Sequence, residues 1–188
     1  MPTRRNIYSW PAGRTRMVEY FEFFIDRMDT PIGELQIVAD DRGSLRTIDW
    51  TEHEPRMRLL LDRYYGKGRY ALRPSNDPGG LTGAMRDYFA GDLAVIGRLA
   101  VETTGTPFQK SVWQALRTIP HGTTVTYAQL AARIGNPRAV RAAGLANGQN
   151  PISIVVPCHR VIGSNGTLIG YGGGLPRKKW LLEHEGAL

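Results

Sequence analysis

The chain has 188 residues, 41% of them hydrophobic, and a net charge of +7 at neutral pH, which is enough apolar material for one packed domain or two small ones. Its single cysteine excludes an internal disulfide and a cysteine-based zinc site, and His53, His121, His159 and His184 show no paired ligand spacing, so no metal is expected. The N-terminus has no apolar leader core and no run approaches membrane-spanning length, so a soluble, intracellular protein without a membrane partner is expected.

Residues 1–18 are arginine-rich with little periodicity and read as a flexible extension. From 19 to 103 the pattern is that of a small α/β domain. Tyr20–Ile25 is strand-like, Pro31-Ile32-Gly33 turns the chain, and Leu35–Val38 and Leu45–Trp50 complete a three-stranded antiparallel meander. A helix is expected over Arg56–Tyr64, with Met57, Leu60, Leu61 and Tyr64 at helical spacing. Residues 66–80 hold four glycines and two prolines and read as loop. A short helix, Leu81–Phe89, ends at Gly91. No catalytic constellation is visible in this half.

From 104 to 188 the punctuation becomes helical. Thr106-Pro107-Phe108-Gln109 is a capping box with proline at the first helical position, followed by a buried stripe of Phe108, Val112, Ala115, Leu116 and Ile119. Thr126-Tyr127-Ala128-Gln129 is a second capping box, opening a helix that stops at Gly135. Asn136 and Pro137 are expected to start another helix running to about Ala146. Two short helices around a glycine turn describe a helix-turn-helix. The second carries Arg138, Ala139, Arg141, Ala142, Ala143 and Gly144. Small side chains allow close approach to DNA but read few base edges, which suits a shape reader in the minor groove with one long cationic probe.

The charge supports such a partner. Residues 104–188 contain nine Lys/Arg against two Asp/Glu, whereas residues 1–103 sum to zero. A basic half points to a polyanion, nucleic acid before membrane. The same half holds Cys158. Ile152–Val156 reads as a buried strand ended by Pro157, with the thiol at its tip. His159 and Arg160 follow, a cationic neighbourhood of the kind that lowers a thiol pKa.

Residues 106–186 resemble the C-terminal domain of the O6-alkylguanine-DNA alkyltransferases. The likeness rests on Pro157-Cys158-His159-Arg160-Val161, Asn150-Pro151 before it, Gly170-Tyr171 after it, and Leu181-Leu182-Glu183-His184-Glu185. Thr30-Pro31-Ile32-Gly33 and Tyr88-Phe89-Ala90-Gly91 extend it more weakly into the first half. The resemblance implies an RNase H-like α/β N-terminal domain and a mainly α C-terminal domain. It implies irreversible, single-turnover transfer of an alkyl group from guanine O6 to Cys158, and leaves open whether O4-alkylthymine is a second lesion. His159 would be the base acting through water, Glu185 its orienting carboxylate, and Tyr127 a donor to the departing base. Arg141 would be the finger that fills the space of a flipped nucleotide, Asn150 the holder of the active-site turn, and Tyr171 part of the alkyl pocket. Ile169 lies where many relatives have a smaller or polar residue, and Gly172 where some carry a hydroxyl. No cofactor is implied. The partner would be double-stranded DNA carrying O6-alkylguanine, bound by a monomer that can assemble cooperatively on DNA. A cytoplasmic protein, nucleoid-associated when bound, would fit. Two other classes use the same features: a cysteine hydrolase built on the Cys–His–Glu trio, which would turn over, and a DNA-binding module without chemistry, against which Cys158 itself speaks.

Overall fold

A computed structural model describes residues 19–188; the N-terminal extension expected over 1–18 lies outside the described residues. Strands β1 (Phe21–Thr30), β2 (Gly33–Ala39) and β3 (Leu45–Trp50) form the expected antiparallel meander. The first turn is tied by the Thr30 hydroxyl, which donates to Gly33 O at 2.6 Å and accepts from Ile32 N. Gly33 takes φ 116°, a region that side chains rarely enter.

A fourth strand, β4 (Tyr70–Pro74), lies parallel to β1 and gives the sheet order β3-β2-β1-β4. It falls inside the stretch read as loop. Five residues between glycines are too short to show a period, and Pro74 is tolerated because β4 is an edge strand. Helix α1 (Glu54–Tyr65) covers one face of the sheet, where Met57, Leu61 and Tyr65 pack with Phe23 and Val38. Helix α2 (Leu81–Phe89) and a short α3 (Val95–Arg98) lie in the larger cluster. That cluster also takes in α4 (Pro107–Arg117), α5 (Tyr127–Arg133), α6 (Val140–Gly148) and α7 (Leu175–His184). One hydrophobic cluster thus runs through both halves, from Met28 and Trp50 to Val112, Val161 and Leu181.

Both capping boxes form as expected. The Thr106 and Thr126 hydroxyls accept from Gln109 N and Gln129 N at 3.2 Å, and each glutamine side chain returns the bond. Such a cap contributes about 1 kcal/mol. The next helix departs from expectation, because Asn136 serves the end of α5 instead of the start of α6. Gly135 turns at φ 74° and Asn136 N reaches back to Ala131 O at 3.0 Å. Pro137 and Arg138 then lie in a turn closed by Ala139 N on Asn136 O, and α6 begins at Val140.

The expected strand over Ile152–Val156 does not form. Ile152 makes a single parallel bridge with Ile48 at the edge of β3, and the chain then folds into a turn. Its apolar, β-branched residues are buried as expected, but the side chain of Asn150 draws the two ends of the run together. Cys158 therefore opens a 3-10 turn, Cys158–Arg160, and does not tip a strand.

Candidate active site and nucleic-acid face

Three hydrogen bonds with the N-terminal sheet fix the segment before the cysteine. Ile48 N donates to Pro151 O at 3.0 Å, Ser153 N donates to Ile48 O at 3.1 Å, and the Thr47 hydroxyl adds a 2.6 Å bond to Pro151 O. Asn150, fully buried, then closes the turn. Its amide donates to Ile152 O (3.2 Å) and Val156 O (2.8 Å), and its oxygen accepts from Ile152 N (3.0 Å). Ile154 is held at φ 70°, which for a β-branched residue costs on the order of 1–3 kcal/mol. The strain lies four residues before Cys158. After the cysteine, β6 (Val161–Ile162) pairs in parallel with β5 (Val125–Thr126). Because Thr126 caps α5, this pairing brings Tyr127 to the cysteine.

Cys158 is only 5% exposed, and burial pushes its thiol up, away from the thiolate. Asn150, Arg56 and Lys178 pull it partly back, while Asp49 opposes them. This corrects the expectation that His159 and Arg160 supply a thiolate-stabilising field. Arg160 points elsewhere: its Nε donates to Glu185 Oε2 at 2.7 Å, its Nη2 to Oε1 at 2.8 Å, and its remaining nitrogen to Ile119 O. Glu185, 3% exposed, also lies 3.0 Å from His159 Nε2, although that N–H does not point straight at the oxygen. Burial would raise the Glu185 carboxyl, but His159 and Arg160 hold it well below the usual range. The fully buried His159 is pushed down by desolvation against the pull of Glu185. The resting pair is a neutral thiol and a neutral imidazole over a fixed carboxylate. His159 Nδ1 has no hydrogen-bond partner in the protein.

Tyr127 and Tyr171 flank the site, the Tyr171 hydroxyl buried without a hydrogen-bond partner in the protein. The Tyr127 hydroxyl donates to Ile169 O at 3.3 Å, and burial raises its pKa, with a smaller push from Cys158. The Tyr171 ring packs edge-on against Trp50 and His159. Ile169 itself is exposed. A Cβ on Gly172 would meet the Arg56 guanidinium at 2.7 Å. The position that lacks a hydroxyl is therefore filled by a long side chain arriving from α1.

Arg56 is one of three residues that the sequence reading does not place in the site. It pairs with buried Asp49 and donates to Gly148 O (3.1 Å) and Asn150 O (3.0 Å), joining α1 to the active-site turn. Lys178 is fully buried, donating to Val161 O (2.5 Å) and Ile169 O (2.6 Å), and burial lowers its pKa to about 8. Tyr88 donates to Glu185 Oε1 at 2.8 Å. The first half, read as free of catalytic residues, thus sends two side chains into the site. For Lys178 a usable signal existed, since it falls on the apolar face of α7 beside Leu181 and Leu182.

On α6, Arg141 and Ala142 are exposed and Gly144 is half-buried; just before the helix Ala139 is half-buried and Arg138 exposed. Gly144 faces the Tyr127 ring, 3.4 Å from where its Cβ would be. Leu145, one turn after Arg141 and 64% exposed, adds an apolar side chain to this outer face that the reading of small residues passes over. Among the described residues no cluster of His, Cys, Asp and Glu could hold a metal, and no helix is long and apolar enough to cross a membrane.

Residues 107–187 match the 6-O-methylguanine DNA methyltransferase DNA binding domain. The methylated-DNA–protein-cysteine methyltransferase of Salmonella typhimurium is 55% identical over 163 residues, covering 87% of this chain and 95% of that protein. The Mycobacterium tuberculosis enzyme of the same name is 46% identical over 161 residues, covering 84% and 89%. Mycobacterium tuberculosis OGT, solved in complex with DNA, superposes with a TM-score of 0.71 at 39% identity, covering 88% of this chain and 93% of that one. The mixed α/β architecture, the sheet-anchored cysteine and these likenesses agree, and the chain belongs to the methylated-DNA–protein-cysteine methyltransferase family.

Proposed function

We propose that the protein repairs DNA by moving an alkyl group from guanine O6 to Sγ of Cys158, one event per molecule. The observation that carries this is the buried row Cys158, His159 and Glu185, with His159 Nε2 3.0 Å from the carboxylate and Nδ1 left open. In the step, the Cys158 proton passes through one water to His159 Nδ1 as Sγ attacks the alkyl carbon. The carbon–O6 bond breaks, its electron pair stays on the guanine, and the Tyr127 hydroxyl supplies a proton to it. Glu185 stabilises the imidazolium formed, in the manner of a catalytic triad. Arg160 keeps that carboxylate in place. A thioether has no carbonyl for water to attack, so the protein is spent.

The target atom lies in the base stack, so the nucleotide must be flipped out, at a cost of a few kcal/mol. In this reading α5 and α6 are a helix-turn-helix laid in the minor groove, Arg141 enters the vacated space, and Ala139, Ala142 and Gly144 permit close approach. Arg138 stands by the phosphates. Asn150 and Pro157 shape the turn; Ile169, Tyr171 and Gly172 border the alkyl pocket. The division at 103/104, with an RNase H-like unit before it, is consistent with the sheet order and with the change to helices at α4. Binding by a monomer that assembles along DNA belongs to the same reading. The family match, and the DNA complex of the mycobacterial relative, support the partner assignment.

A titration tests the reading. With excess duplex carrying O6-methylguanine, repair should stop at one equivalent of lesion per protein. Continued turnover would point to a hydrolase.

A further inference from the structure

The Tyr88-Phe89-Ala90-Gly91 segment carries part of the family likeness, yet the reaction as written gives it no task. In the fold it closes α2, and Tyr88 is fully buried against the end of α7. Three contacts join them. The Tyr88 hydroxyl donates to Glu185 Oε1 at 2.8 Å, His184 Nε2 lies 2.8 Å from Tyr88 O, and the Tyr88 ring meets the His184 ring edge-on at 5.1 Å.

Glu185 Oε1 is crowded. Tyr88 (2.8 Å), Arg160 Nη2 (2.8 Å) and His159 Nε2 (3.0 Å) all approach it, while Oε2 takes Arg160 Nε. A carboxylate oxygen offers about two lone-pair directions. Three donors on one oxygen therefore compete, which explains why the imidazole N–H is close to Oε1 without being aimed at it. The other groups around the imidazole are Cys158 and Arg160 on its own turn, Lys178 on α7 and Tyr171 on the following loop.

We propose that Tyr88 is a positioning residue for alkyl transfer: its hydroxyl occupies Glu185 Oε1 and so limits how firmly the carboxylate holds a proton on His159. The proposal rests on the Cys–His–Glu relay above. Burial and the neighbouring carboxylate keep the phenol protonated far above its ordinary range, so it donates at every working pH. With the hydroxyl in place the imidazole rests neutral and ready to accept the thiol proton. Without it, Oε1 is left to Arg160 and His159 alone, and the imidazolium becomes the easier form. The N-terminal half then contributes to proton transfer as well as to the fold.

The test is the single-turnover rate of methyl transfer against pH, between about 5 and 9, across which an imidazole titrates. Wild type, Tyr88→Phe and Glu185→Gln are compared, with melting temperatures in parallel. Tyr88→Phe keeps the ring and its packing and leaves both Arg160 bonds on Glu185. Its acid limb should move up by about half a pH unit or more, as expected when a hydrogen bond to a charged partner is removed. Well below the midpoint of that limb, the rate should therefore fall about threefold relative to the plateau. An NMR titration of the His159 ring in the Cys158→Ser background should show the same upward shift without any reaction. An unmoved limb and an unmoved ring titration would overturn the proposal. So would a rate loss that is uniform across pH and follows the melting temperature. If Glu185→Gln keeps the wild-type rate and profile, the relay itself is wrong. If only Tyr88→Phe is silent, the relay stands and Tyr88 has no part in it.

Discussion

Glu185→Gln exchanges a buried anion for a neutral amide of the same shape. In the native site the carboxylate takes two hydrogen bonds from Arg160 and one from Tyr88, and faces His159. The variant leaves the Arg160 guanidinium buried at 5% exposure without a counter-charge, with one amide oxygen and Ile119 O to accept from it, and turns an amide N–H₂ toward a donor. Breaking a buried pair by removing one member costs about 3–5 kcal/mol. For a chain of this size each kcal/mol moves the melting temperature by about 2–4 °C, so a fall of roughly 6–20 °C is expected. The pH dependence has a definite sign. Glu185 is depressed in the folded protein, so its contribution is full above the unfolded carboxyl value near 4.3 and is lost as pH falls toward the folded one. The gap between wild type and variant should therefore narrow below about pH 5. Thermal unfolding followed by circular dichroism reads both quantities. In Arg160→Met/Glu185→Leu, which removes both charges, part of the stability should return while methyl transfer does not. A single variant melting within about 2 °C of wild type, less than one kcal/mol, would refute the argument that this pair locks the site.

Arg141→Ala should slow repair of duplex DNA about tenfold or more while sparing reaction with free O6-benzylguanine, which needs no flipping; equal losses on both substrates would make Arg141 a support of the active-site structure. Asn150→Ala removes three hydrogen bonds from the turn before Cys158 and should cost several kcal/mol, at about 1–3 kcal/mol for each buried group left unpaired; urea unfolding that shows a change below about 1 kcal/mol would contradict the assigned role. Lys178 is pulled down to about 8, below its unfolded value, so the folded protein sheds this proton first and stability from this group rises as pH climbs from about 8 to 10.5. Lys178→Met should remove that rise, on the order of 3 kcal/mol, and an unchanged pH slope in denaturant melts would show that the ammonium is not desolvated.

The parts of this molecule legible in sequence were those fixed by neighbours in the chain. Thr106/Gln109 and Thr126/Gln129 are three residues apart, and both helix starts fell where the capping boxes placed them. The meander was readable from alternation around Pro31-Ile32-Gly33. Cys158, His159 and Glu185 were readable as a motif, and the fold brings them together. What was hidden depends on partners far along the chain. β4 exists because β1 offers an open edge, which five residues cannot announce. Ile152–Val156 has the composition of a strand, but the Asn150 amide bends it, and only the position of that side chain reveals this. Arg56, Tyr88 and Lys178 look like ordinary helix residues. Their tasks appear only when α1, α2 and α7 pack around one turn. The thiol was misread for the same reason: Arg160 adjoins Cys158 in sequence but spends its charge on Glu185, leaving burial as the stronger influence.

The central claim is that Cys158 receives the alkyl group. Intact-mass analysis after incubation with one equivalent of duplex carrying a single O6-methylguanine reads it directly, with peptide mapping to place the change. The account predicts one added methyl group per molecule, located on the peptide containing Cys158, and none on Cys158→Ala, which should still bind the duplex. A repaired duplex with an unmodified protein, or a methyl group on any other residue, would contradict it.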